Sequence, residues 1–146
     1  MKSRRLNLPT VMVSGGFDPI HGGHVQMIRD AAQRGNVIVV ANSDEWLMRK
    51  KGYVFMSFEE RAKILREIKG VILVAAVNDS DDTVCNAIQM IRPDYFANGG
   101  DRGKSNTPEQ DVCEKLGIEM LWGVGGDYKF NSSSDLAKNL IKNYPV

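Results

Sequence analysis

His21 and His24 are the two histidines of the chain, and they sit in the run Gly15-Gly16-Phe17-Asp18-Pro19-Ile20-His21-Gly22-Gly23-His24. A separation of three brings both side chains to one side of a helical turn, where they can act together. Glycines before and between them keep bulk away, so a phosphate could lie against free backbone N–H groups at a strand-to-helix turn. Imidazole N–H donors aimed at that phosphate suit phosphoryl transfer, in which a donor placed where charge grows stabilises the transition state without covalent chemistry. One ring capping a helix and the other covering surface would explain a histidine pair. It would not explain the glycine turn, the Gly22-Gly23 insert and Asp18 occurring together.

Such a turn needs a strand behind it and a helix in front. Residues 10–14 (TVMVS) are almost continuously apolar, the pattern of a central strand covered on both faces. Val25, Met27, Ile28, Ala31 and Ala32 recur at helical spacing before Gly35, which predicts a helix over 22–34. Residues 36–41 (NVIVVA) predict a second strand, and Asn42-Ser43-Asp44 caps a short helix through Trp46 and Leu47, followed by a basic loop over 49–52. Ser57 and Glu60 make a capping box for a helix carrying Ala62, Ile64, Leu65 and Ile68. Further strands are expected over 71–77, 94–97 and 118–122. Between them lie a helix capped by Asp82 or Thr83 and another starting at Thr107-Pro108-Glu109, and a last amphipathic helix carries Leu136, Leu140 and Ile141. The alternation predicts a single α/β domain over 10–146 around a five-stranded parallel sheet, preceded by an arm over 1–9. Ligands of such sheets bind outside the carboxyl ends of the strands, and polar residues collect there in the loops 15–24, 49–61, 98–104 and 125–134.

Bulk composition narrows the function. With 146 residues, 42% of them hydrophobic and 25% charged, the chain is long enough for one core and is neither fibrous nor disordered in type. Lys and Arg number 19 against 18 Asp and Glu, which excludes a nonspecific nucleic-acid binder working through a large basic field, so any anion site must be local. No run approaches the ~18 apolar residues of a membrane span, and the first 13 residues are too weakly apolar for a secretory signal. A cytoplasmic setting and no membrane partner are expected. Cys85 and Cys113 are too far apart for a CxxC pair and read as free, buried thiols. A Rossmann dehydrogenase is disfavoured because Gly15-Gly16-Phe17-Asp18 does not continue as GxGxxG and no acidic residue closes the second strand.

Gly15 to His24 resembles the HxGH signature of the cytidylyltransferase-like nucleotidyltransferase superfamily, which has a Rossmann-like, three-layer α/β fold. Asn42-Ser43-Asp44, Lys50-Lys51-Gly52, Phe58-Glu59-Glu60-Arg61, Asn98-Gly99-Gly100-Asp101 and Ser132-Ser133-Ser134 follow in the order and spacing of glycerol-3-phosphate cytidylyltransferases and of the ADP-heptose synthase nucleotidyltransferase domain, so the resemblance covers roughly 10–140. It implies attack by a substrate phosphate oxygen on the α-phosphorus of CTP or ATP with loss of pyrophosphate, usually with Mg²⁺, in a homodimer. It further implies that His21 and His24 contact the triphosphate, that Lys50 or Lys51 neutralises a phosphate, and that Gly15, Gly16, Phe17, Asp18 and Arg61 belong to the nucleotide site. Asn98, Gly99, Gly100 and Asp101 would lie near base and ribose, and the Ser132, Ser133 and Ser134 hydroxyls near phosphates. Members with the cytidylyltransferase signature carry an arginine shortly before the serine element; this chain has Lys129 there. A nucleotide-binding regulatory module that has lost catalysis is therefore the second reading, and the resemblance leaves CTP and ATP both open.

Overall fold

All six residues of Asn36–Ala41 are buried, and this second strand, β2, pairs in parallel with β1 (Thr10–Gly15) from Thr10 opposite Asn36 to Gly15 opposite Ala41. The computed structural model describes residues 7–98 and 107–125. Within them the parallel sheet has five strands in the order β3-β2-β1-β4-β5, with β3 at Val71–Ala75, β4 at Tyr95–Ala97 and β5 at Glu119–Leu121. The last three strands are shorter than their apolar runs suggest. β3 is an edge strand, so Ile72 and Leu73 stay 42% and 49% exposed where a covered strand would bury them.

Helices cover both faces, because alternate residues of each strand point to opposite sides. Val11, Val13, Val37 and Val39 pack with Ile28 and Ala31 of α1 (Gly22–Ala32) and with Ala62 and Leu65 of α3 (Phe58–Arg66). Met12 and Val40 face the other way, onto Ala87 and Ile88 of α4 (Cys85–Ile91) and Cys113 of α5 (Pro108–Leu116). The result is the expected three-layer α/β sandwich.

α2 (Asp44–Lys51) differs from expectation. Ser43 caps it as its type dictates, its hydroxyl accepting from the Trp46 N–H at 3.0 Å. The helix then runs on through Arg49, Lys50 and Lys51 to Gly52 at φ 85°, so the predicted basic loop is its last turn. Cations there face the negative end of the helix dipole, which favours helix over loop. The α4 start also departs: Val84 occupies the cap without a side-chain bond, and Thr83 Oγ1 accepts from the Cys85 N–H at 3.2 Å instead. Cys113 is a free, buried thiol as expected, whereas Cys85 is free but only half-buried. The arm's first six residues and the expected last helix lie outside the described residues, as do Gly99, Gly100, Asp101, Lys129, Ser132, Ser133 and Ser134.

Candidate active site

The chain runs from β1 outward to β2 and β3, then returns to lay β4 on the other side of β1, so the topological switch falls between β1 and β4. In such sheets the crevice at the switch takes the ligand. The histidine turn leaves β1 at that point. His21 is the N-cap of α1 in an extended conformation, and the two imidazoles close a capping box usually built from a hydroxyl and a carboxylate. The Gly23 N–H donates to His21 Nδ1 at 3.1 Å, and the His21 N–H donates to His24 Nδ1 at 3.1 Å. A ring nitrogen that accepts carries no proton, so both rings hold theirs on Nε2 and present it away from the backbone. The rings stack with centroids 3.7 Å apart and planes inclined by 25°.

Two imidazolium ions could not stack at that distance. Burial lowers the His21 pKa, and burial together with the neighbouring His21 ring pushes His24 down to about 4. At neutral pH the pair is thus uncharged, and its Nε2–H groups are donors whose hydrogen bonds to an anion need no proton transfer. The Phe17 ring meets the His24 ring edge-on at 4.9 Å and completes the support. Phe17 itself is 2% exposed, with its backbone held at φ 53°, so its ring supports the pair from within the core.

Of the charged residues expected around this turn, Asp18, Lys51 and Arg61 are engaged in holding it and Lys50 is not. Asp18 is buried, and its carboxylate accepts from the Phe55 N–H at 2.7 Å, the Met56 N–H at 2.5 Å and Lys51 Nζ at 3.1 Å. Lys51 Nζ also donates to the Asp18 carbonyl at 2.6 Å and lies 4.6 Å from the Tyr53 ring centroid, so its ammonium is occupied inside the protein. Lys50 stands exposed, 5.9 Å from the Trp46 ring centroid. Arg61 is fully buried. Its guanidinium donates to the carbonyls of Gly16 and Asn42, each at 2.8 Å, to Met56 O at 2.9 Å and to Asp44 Oδ1 at 2.7 Å. It ties the segments after β1 and β2 to the turn before α3 and leaves at most one N–H for anything else. Gly16 is where this packing is closest: a Cβ there would come within 3.2 Å of Leu47 Cδ2.

Beside the turn, a pocket of about 300 Å³ opens at the carboxyl ends of β1, β2 and β4, where Ser14, Asn42 and Asn98 reach it. Met27, one turn beyond His24 on α1, lines it too. Asn98 O accepts from the Val124 N–H at 3.2 Å, which fixes the only described member of the Asn98 to Asp101 group. One buried acid lies outside the motifs. Asp79, 3% exposed, accepts from Asn42 Nδ2 at 3.0 Å, from the Ser43 N–H at 2.8 Å and from Ser43 Oγ at 2.6 Å. Burial opposes its charge, but the bonds from Ser43 and Asn42 outweigh burial and hold the carboxyl below its ordinary pKa. Its signal in the sequence was weak, a lone position in the polar run Asn78-Asp79-Ser80-Asp81-Asp82 just past β3.

Fold and site define an α/β protein with an uncharged, donor-bearing cradle at its switch point. A family model described as cytidylyltransferase-like matches residues 12–139. The bifunctional protein HldE of Syntrophotalea carbinolica is 30% identical over 146 residues, 97% of this chain and 29% of that protein. The D-beta-D-heptose 1-phosphate adenylyltransferase of Bordetella bronchiseptica is 35% identical over 138 residues, 92% of this chain and 83% of that one. A solved lipopolysaccharide core biosynthesis protein from Thermoplasma volcanium GSS1 shares the fold, with a TM-score of 0.64 at 24% identity over 80% of this chain and 94% of that one. The chain spans under a third of the length of the HldE proteins it matches. It belongs to the cytidylyltransferase-like family of nucleotidyltransferases.

Proposed function

We propose that this chain transfers a nucleoside monophosphate from CTP or ATP to a small phosphorylated sugar or polyol and releases pyrophosphate. An oxygen of the acceptor's phosphate attacks the nucleotide α-phosphorus. The new P–O bond forms as the bond to the β-phosphate oxygen breaks, and pyrophosphate leaves with that electron pair. His21 and His24 donate Nε2–H bonds to phosphate oxygens on which charge builds, and neither ring changes its proton count. Support comes first from the stacked, uncharged pair whose Nδ1 atoms are both occupied by backbone N–H groups. The relative named as a heptose 1-phosphate adenylyltransferase favours ATP and a sugar 1-phosphate.

Magnesium enters this proposal with the triphosphate. Mg²⁺ takes oxygen ligands, and those of the triphosphate would hold it, since the Asp18 carboxylate within the turn already accepts from two backbone N–H groups and Lys51. Incubation with Mg²⁺, ATP or CTP, and a panel of sugar 1-phosphates and glycerol 3-phosphate should release pyrophosphate; equal turnover in wild type, His21→Ala and His24→Ala contradicts the proposal. A homodimer is part of the same proposal, and a monomer mass in sedimentation velocity at micromolar concentration would remove it.

A further inference from the structure

We propose that Asp79 is a positioning residue for the reaction: it holds the Asn42 amide with Nδ2 turned inward, so that Oδ1 stands at the pocket edge as a fixed acceptor for a substrate hydroxyl or amine. The proposal rests on the nucleotidyl-transfer function above and adds what sets the polarity of one wall of its site.

Asn42 is the first residue past β2 and is 6% exposed. Its N–H donates to the Gly15 carbonyl at 2.9 Å, its own carbonyl accepts from Arg61 Nη1 at 2.8 Å, and its Nδ2 donates to Asp79 Oδ2 at 3.0 Å. Backbone and amide nitrogen are thus all bound within the protein. The remaining polar atom, Oδ1, has no partner among the described residues and is not closed off from solvent. Asn42 lines the pocket of about 300 Å³, so that oxygen is what the residue offers there.

An Asn side chain presents an acceptor or a donor according to which way its amide is turned. Asp79 makes that choice. Donors converge on its carboxylate: Asn42 Nδ2 and the Ser43 N–H at Oδ2, the latter at 2.8 Å, and the Ser43 hydroxyl at Oδ1, at 2.6 Å. A carboxylate only accepts, so an amide turned over would set its oxygen against Asp79 Oδ2 and lose a charge-assisted bond. The carboxylate is not free to swing away from such a clash. The Asp79 carbonyl accepts from Arg49 Nη2 at 2.8 Å and from the Asp82 N–H at 2.9 Å, and Arg49 is itself paired with Asp82 at 3.1 Å. Asp79 is not among the residues lining the pocket, so its effect on a ligand passes through Asn42.

Asp79→Ala frees the Asn42 amide to turn. Asp79→Asn does not, because the Ser43 N–H still requires an oxygen at the Oδ2 position and so keeps an acceptor opposite Asn42 Nδ2. Asn42→Ala removes the presented acceptor itself. With the substrates that turn over, Asn42→Ala and Asp79→Ala should each raise the KM of the same one substrate about tenfold, as for the loss of one hydrogen bond, and leave kcat within about threefold. Asp79→Asn should stay within about twofold of wild type, and the variant carrying both Asn42→Ala and Asp79→Ala should be no worse than either alone, since both remove the same bond. A KM unmoved by Asp79→Ala, effects that multiply in the double variant, or KM and kcat changing only in step with the fraction unfolded would overturn the proposal.

The proton–nitrogen pair of the Asn42 side-chain amide, identified by its loss in Asn42→Ala, gives a second reading that needs neither turnover nor a folded Asp79→Ala. It should move when magnesium ATP, magnesium CTP, glucose 1-phosphate or glycerol 3-phosphate is added to wild type and to Asp79→Asn. A pair that none of these moves overturns the proposal, whereas His21→Ala turnover equal to wild type defeats only the catalytic reading.

Discussion

The histidine turn and the clamp beneath it were equally rich in candidate residues by sequence, and they use their polar groups in opposite ways. His21 and His24 each give one ring nitrogen to the backbone and keep the other's proton free. Asp18, Lys51 and Arg61 have their charges satisfied by carbonyls, N–H groups and each other's neighbours. Burial decides the difference. A charge removed from water must be fully paired, while a neutral imidazole can remain partly unpaired at modest cost. Motif residues thus divide into those that present donors to a ligand and those that fix where the donors point.

Breaking the presenting half should have the largest effect on turnover. His21→Ala and His24→Ala are each expected to lower pyrophosphate release by about a hundredfold or more, the loss typical of one preorganised transition-state donor, while losing about 1 kcal/mol of stability with the helix cap. Breaking the holding half reverses that balance. Arg61→Met leaves the Gly16, Asn42 and Met56 carbonyls without their donor and should cost about 3 kcal/mol or more in urea unfolding. Asp18→Ala orphans the Phe55 and Met56 N–H groups and the Lys51 ammonium, with an expected loss of about 2–4 kcal/mol by the same measurement.

A pH series sharpens the contrast. His24 binds its proton near 6.5 when unfolded and near 4 when folded, so the unfolded chain holds more protons between those values. Stability is therefore intact above about pH 6.5 and falls as pH drops toward 4. His24→Gln keeps a capping-box acceptor that does not titrate, and thermal midpoints between pH 4 and 7 should decline less steeply in that variant. The smallest effect is expected at Lys50, where the ammonium is exposed. Lys50→Ala should raise the KM for a phosphate substrate a few-fold, as for a single solvated charge, with unfolding unchanged.

Much of this was legible from residue types. Apolar runs gave the five strands because buried parallel strands need both faces covered, and the Ser43, Ser57 and Thr107 caps stand where their hydroxyls can meet a free N–H. The histidine pair was legible because glycines flank it. The roles of Arg61 and Lys51 were not, since pattern gives a residue's place along the chain and not whether its charge ends in solvent or in a ring of carbonyls. Lys51 looked free because a basic triplet ending in glycine reads as a loop; as the last turn of α2 it points at Asp18, 33 positions away. Asp79 was illegible for the same reason, its partners lying 36 and 37 positions earlier.

Long-range proton–nitrogen correlation of the two imidazoles, recorded at pH 7 before and after adding magnesium nucleotide, tests the histidine cradle most directly. Both rings should carry their proton on Nε2 with Nδ1 bare, and both Nε2 resonances should move when the triphosphate binds. A ring protonated on Nδ1, a charged imidazolium, or two Nε2 signals that stay still while nucleotide binds elsewhere would contradict it.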